Sequence, residues 1–373
     1  MVLYRKPATL AVALVAALSL ASCAGASTAP SSQNPTTASS SPAPATAGTA
    51  GTAAGPAGVD ALGLSGPAQA ATVPDVTAAV KDPRPQLPAK VTDSNGKTIT
   101  VASTDRILAL DLYGTLTDTV IGLGLEKNLV GRSNSDTQAA IKDLPVVTQS
   151  GHDLNTEAVL NLNPTLILTN TTIGSEEKYA QLENAGVTVV RFEQTPSLDS
   201  IDDTIEEVGD AVGLPEAADT LAERTDAELE EAKATVNALK ANTPQAPRAV
   251  VLYVRGTAGV FFILGKDYGA SDIIGALGLA DSAAENGITQ LKPANAEALV
   301  SLDPQIVLAM EDGVKSAGGV EGLLKRPGMA ATTAGSTQRV ITAADGQLLA
   351  YGPRTPGNLV ALAQAIYTKD GGQ

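Results

Sequence analysis

The 373 residues carry 40 Asp and Glu against 25 Lys and Arg, a formal charge of −15 with no basic cluster. Nucleic-acid binding needs a concentrated basic face, so that class is set aside. A single cysteine leaves no internal disulfide, and one histidine argues against a zinc or manganese site, which needs several His, Cys or closely spaced carboxylates.

Residues 1–22 read as a targeting segment: Arg5 and Lys6 precede an apolar run, Ala8 to Leu20, that is too short for a stable membrane span. The run ends at Leu20-Ala21-Ser22-Cys23, which resembles a bacterial lipobox. Cleavage before Cys23 and its lipidation would hold the chain on the extracytoplasmic face of a bacterial membrane; an ordinary secretory signal with an incidental Cys is the alternative. Residues 23–85 are Ala, Ser, Thr, Gly and Pro with hardly a charge, a composition expected to form a flexible tether. After residue 22 no apolar run is long enough to cross a bilayer.

The body is expected to hold an N-terminal α/β lobe over 86–200, a helical connection over 201–243 and a C-terminal α/β lobe over 244–373. Lys90 to Ala102 predicts a hairpin around Asn95-Gly96. Arg106 to Leu110 reads as a buried strand, Leu112 to Gly124 as a helix, and Asn128 to Val130, Val146-Val147 and Val187 to Phe192 as further strand segments. Pro215 predicts the start of a helix running to about Lys240, a rod of roughly 37 Å. Arg248 to Val254 then opens the second lobe as a strand.

A stretch of sixteen residues occurs twice, 140 positions apart: Asn155 to Asn170 (NTEAVLNLNPTLILTN) and Asn295 to Met310 (NAEALVSLDPQIVLAM). Six aligned positions are identical, among them Asn155/Asn295, Glu157/Glu297 and Pro164/Pro304. Each copy predicts a short helix, a stop at the X-Pro, and an apolar strand. Two similar α/β lobes, with mainly parallel sheets and a ligand cleft between them, follow from the duplication. One long joining helix limits their relative movement to small rigid-body shifts.

His152, in Gln149-Ser-Gly-His-Asp153, stands ahead of the first repeat's helix, whose N-cap is Asp153 or Asn155. A helix end beside it would favour the neutral, metal-coordinating ring, although an exposed loop histidine reads the same way. Tyr253 and Arg255 lie two positions apart near the end of the second lobe's first strand, so they share a face. A phenolate suits ferric iron and Tyr is an axial haem ligand, yet a core Tyr beside a surface Arg is common. Haem needs only one His and one Tyr because the porphyrin supplies the other four donors. Asn170 and Met310 end the repeat strands, where ligands of α/β folds sit. Arg132, Tyr351 and Arg354 are candidates for the cleft mouth.

The lipobox, SGHDLNTEAVLNLNP, the strand ending LYVRG, NAEALVSLDPQIVLAM and LLAYGPRTPGNL together resemble the haem-binding lipoproteins of bacterial ABC haem importers, the HmuT group. The resemblance covers roughly residues 88 to 370 and implies the binding-protein class with a rigid inter-lobe helix. It further implies haem, as transported ligand, gripped between His152 and Tyr253, with Arg255 hydrogen-bonded to the tyrosine. Glu157 and Glu297 match the surface acids, one per lobe, that seat such proteins on a permease dimer with its ATPase. A monomeric binding protein is expected, not an enzyme: no G-x-S-x-G elbow or P-loop is present. Ferric siderophores and cobalamin are the alternative ligands on this scaffold, and an adhesion module would leave the paired Glu positions unexplained.

Overall fold

The computed structural model describes residues 58–149, 152–194, 196–257, 259–369 and 371. The expected signal segment, Cys23 and the part of the expected tether over 23–57 lie outside the described residues.

A two-residue strand, β1 (Ala68–Gln69), comes first. The expected hairpin follows as β2 (Ala89–Thr92) and β3 (Thr98–Val101). Asp93 closes its turn by accepting from the backbone N–H groups of Asn95 (3.1 Å) and Lys97 (2.9 Å). Gly96 alone of the Asn-Gly pair takes the left-handed conformation, at φ 75°. The N-terminal lobe continues through β4 (Ile107–Leu110), α1 (Thr115–Gly122), β5 (Thr148–Gln149), β6 (Asp153–Leu154), α2 (Thr156–Asn161), β7 (Leu166–Thr169), α3 (Glu176–Asn184) and β8 (Thr188–Arg191). Its parallel sheet runs β4-β7-β8, with every residue of β4 and β7 buried. The strand segments expected at 128–130 and 146–147 shrink to single bridges, Ile107 to Leu129 and Arg132 to Val146.

Helices α4 (Ile201–Ala211) and α5 (Pro215–Lys240) connect the lobes. Proline at the first turn starts α5 without losing a hydrogen bond, and Leu221, Leu229, Val236 and Leu239 form its buried stripe. Buried alanines at 217, 218, 222 and 232 let neighbouring helices approach closely.

The C-terminal lobe comprises β9 (Arg248–Arg255), β10 (Val260–Leu264), α6 (Ala270–Ala276), β11 (Ala280–Asp281), α7 (Ser282–Glu285), β12 (Lys292–Pro293), α8 (Ala296–Leu302), β13 (Ile306–Met310), α9 (Glu311–Ser316), α10 (Gly319–Leu324), α11 (Thr333–Thr337), β14 (Val340–Ala343), α12 (Asp345–Leu348) and α13 (Thr355–Tyr367). Its sheet has the order β1-β14-β13-β9-β10-β12, with β11 also paired to β9. Only β10 runs antiparallel, against β9 and β12.

The duplication seen in the sequence is a duplication of topology. β4-β7-β8 corresponds to β9-β13-β14, with the repeat strand central and parallel in both. Asn155 and Asn295 cap their helices alike, accepting from Ala158 N (3.1 Å) and Ala298 N (2.9 Å). Before each proline the chain turns through a positive φ, 45° at Asn163 and 36° at Asp303. An arginine at the start of each lobe's first parallel strand buttresses its turn: Arg106, just ahead of β4, donates to the Asn163 carbonyl and Arg248, the first residue of β9, to the Asp303 carbonyl. That pair escaped the sequence comparison because it lies outside the repeated stretch.

The tether expected over 23–85 needs correction from residue 58 onward. Residues 58–86 form a strap on the folded body. Val59 N donates to Tyr367 O (2.8 Å), Ala70 N to Thr342 O (2.7 Å) and Gln347 Nε2 to Ala71 O (2.8 Å), all in the C-terminal lobe. Both oxygens of Asp75 then accept from the N-terminal lobe, from Ala139 N (3.0 Å) and Ala140 N (2.7 Å). Ala79 N donates to Gly122 O (2.7 Å), and Gln86 N to Gly213 O (2.7 Å). Low hydrophobicity misled here because the strap is held mostly through its backbone, at a sheet edge that composition cannot reveal.

Candidate ligand-binding site

Strands β4, β7, β9, β13 and β14 send their carboxyl ends toward the same region. After β4, the buried Asp111 carboxylate accepts from the N–H groups of Tyr113 (3.3 Å), Thr115 (3.0 Å) and Leu116 (3.2 Å). This cap turns the chain sharply and presents Leu112 and Tyr113. After β7, Asn170 Oδ1 accepts from Thr172 Oγ1 (2.6 Å), and the same hydroxyl oxygen accepts from Leu112 N (2.9 Å). From the other lobe come Tyr253 and Arg255 at the end of β9, Met310 at the end of β13, and Asp345 just beyond β14.

Of these residues Leu112, Tyr113, Thr172, Tyr253, Arg255, Met310 and Asp345 line one cavity of about 240 Å³. Leu112, Tyr113, Thr172 and His152 face it from the N-terminal lobe; Tyr253, Arg255, Tyr268 and Met310 face it from the C-terminal lobe. Leu264 and Leu291 make the wall largely apolar. Larger depressions of about 360, 370 and 530 Å³ exist, but none draws residues from the C-terminal lobe. A cavity fed by both halves of a duplicated fold is the stronger candidate for a ligand.

His152 is exposed, and its carbonyl accepts from Gly174 N (2.9 Å). The helix cap is Asn155, so β6 separates the ring from the first turn of α2. Tyr253 is half-buried, and the Arg255 guanidinium lies over its ring, 4.8 Å from the centroid. Arg255 donates to Val254 O (3.1 Å) and pairs with the Asp345 carboxylate. The expected hydrogen bond from Arg255 to the Tyr253 hydroxyl is absent; the contact is face-on stacking. Gly313 makes room for it, since a Cβ there would collide with Arg255 Nη1 and the Val254 carbonyl.

Compared with known families, residues 111–345 match that of the periplasmic binding proteins. The chain belongs to the periplasmic binding protein family. A crystal structure of the heme binding protein HmuT is 46% identical, with a TM-score of 0.81, covering 83% of this chain and all of that one. The apo form of the periplasmic heme-binding protein RhuT from Roseiflexus sp. RS-1 is 34% identical (TM-score 0.65; 73% of this chain, 100% of that one). An uncharacterized ABC transporter substrate-binding lipoprotein of Bacillus subtilis, YvrC, is 26% identical over 285 residues, 75% of this chain and 86% of that one.

Within this periplasmic binding protein the other candidates separate by location. Asn170 and Tyr351 line a small adjoining cavity of about 30 Å³ that shares Tyr113 with the main one. The Tyr351 hydroxyl donates to the Gly269 carbonyl. Arg132 turns inward, donating to the carbonyls of Ser133 (3.1 Å) and Asp136 (3.4 Å). Arg354 is buried and paired with Asp118 at 2.8 Å. Neither Arg132 nor Arg354 lines the main cavity, so the placement at its mouth is corrected: both guanidiniums already serve protein carbonyls or a carboxylate. Sequence reading missed Tyr113, Tyr268 and Asp345. The Asp111-Leu-Tyr-Gly114 turn ahead of a helix was a signal for Tyr113; for Asp345 there was none. Glu157 and Glu297 stand exposed on the first turns of α2 and α8.

Proposed function

We propose that this periplasmic binding protein captures haem for an ABC importer, held on the extracytoplasmic face of the membrane by a lipid on Cys23. The observation that carries the reading is the meeting of His152 and Tyr253, one from each lobe, at a single largely apolar cavity. Ferric haem offers two axial positions on opposite faces of a flat apolar ring, which a cleft with one donor on each wall can satisfy. The Arg255 guanidinium over the Tyr253 ring holds that side chain at the cavity wall, where its oxygen is a hard donor suited to Fe(III). Met310, Leu112, Leu264 and Leu291 supply apolar contact for the porphyrin. Glu157 and Glu297 are then the acids that seat the loaded protein on a permease dimer coupled to its ATPase.

Titrating the full-length protein with hemin tests this directly. The expected result is a saturating Soret band with a phenolate-to-iron charge-transfer band. If hemin gives no saturable spectrum while a ferric siderophore or cobalamin does, the ligand is one of those instead.

A further inference from the structure

Five large apolar side chains are exposed among the described residues, and two of them, Leu160 (40% exposed) and Val300 (49%), occupy the same position of the repeat. Each follows the exposed acid by three residues, Glu157 to Leu160 and Glu297 to Val300, so acid and aliphatic share one helix face. Asn161 and Ser301 continue the exposed stripe in both, while Val159 and Leu299 are buried and anchor the helices. Both helices also begin just beyond the cavity: α2 at Thr156 follows the lining residue His152, and α8 at Ala296 follows the lining residue Leu291. A lone exposed Leu is ordinary. The same exposed aliphatic, beside the same acid, in both lobes is not explained by chance scatter.

We infer that Leu160 and Val300 extend the two docking points proposed for Glu157 and Glu297, each aliphatic side chain burying against an apolar patch of the membrane partner beside the residue that meets the acid. This rests on the importer role proposed above. The sign of the partner follows from charge: each point carries an acid, on a chain of net charge −15. The aliphatic side chains add burial that the acids cannot, and by excluding water they strengthen the attraction between acid and base.

The test uses the full chain with its cognate permease–ATPase complex in liposomes. Leu160→Asn combined with Val300→Asn should leave hemin titration unaltered. The concentration of haem-loaded protein that half-saturates ATPase stimulation should rise about tenfold or more. Glu157→Arg combined with Glu297→Arg is the reference and should abolish stimulation with hemin binding intact. Unchanged half-saturation in the Asn variant, alongside loss in the Arg variant, overturns the apolar contribution and leaves docking through the acids standing. Stimulation untouched by both variants overturns the docking reading itself.

Discussion

Several phenols lie in or beside the cavity, and their surroundings set them apart. Burial, with the nearby Tyr268 next in weight, pushes the Tyr113 phenol up, so it stays protonated and is a poor anionic donor. Tyr351 is spent on the Gly269 carbonyl, and burial raises it as well. Among the described tyrosines only Tyr253 has a guanidinium over its ring together with a place in the main cavity. Tyr253→Phe should therefore remove the phenolate-to-iron band and weaken hemin binding by more than the roughly 10- to 100-fold that follows loss of an outer partner in a metal site. Tyr113→Phe should keep the band. Asp345→Asn and Gly313→Ala act through Arg255, the first by weakening its ion pair and the second by filling its space. Each should cost about tenfold in hemin affinity with the band retained but shifted. A Tyr113→Phe protein without the band would transfer the ligand role away from Tyr253.

The helix–turn–strand unit was legible because each of its parts has a local cause. Asparagine caps, buried Val159 and Leu299, proline stops and short apolar strands all lie within sixteen residues, so their pattern survives in the sequence. The same holds for α5, whose start is set by Pro215 and whose buried stripe repeats at helical spacing. Asn155→Ala and Asn295→Ala remove equivalent caps and should each lower stability by about 1 kcal/mol in chemical denaturation. Unequal losses would mean that the two copies, though alike in backbone, are not alike in energy. Less legible were the segments at 128–130 and 146–147, where apolar pairs suggested strands and the fold keeps one bridge each. Too few residues pair there to tell a strand from an extended loop by pattern alone.

Over the whole molecule, charge is buried where the lobes meet. Asp118 on α1 and Arg354 ahead of α13 are both nearly inaccessible, and Gln138 Nε2 also donates to Asp118, at 2.6 Å. Arg354→Met strands the carboxylate in the interior and should destabilise the protein by about 3 kcal/mol or more, whereas adding Asp118→Leu should restore much of that. Thermal melts of the single and double variants decide this; equal losses in both would mean that packing, not charge, matters at this contact. Nearby, burial raises the carboxyl of Asp111 to about 7 and that of Asp136 to about 6, from 3.8. The folded state then holds protons that the unfolded chain releases, so these groups contribute stability below about pH 4 that is lost as pH climbs through 6 to 7. Asp136→Asn should flatten that fall, by roughly 2–3 kcal/mol across the window. Melting temperatures taken at both ends of the range would expose a wild-type and a variant with the same slope.

The duplicated lobes and their joining helix could be read from the chain, since each depends on short-range pattern; that His152 and Tyr253 line one cavity is a fact of the fold. Placement of the strap over 58–86 could not be read from the chain either. Its hold comes from backbone hydrogen bonds to an existing sheet edge and from Asp75 reaching across to 139–140. Nor could the fates of Arg132, Arg255 and Arg354. A guanidinium looks the same in sequence whether it faces a ligand, stacks on a tyrosine or pairs with an aspartate 236 residues away. Which partner it takes depends on distances that exist only once the lobes have folded and met.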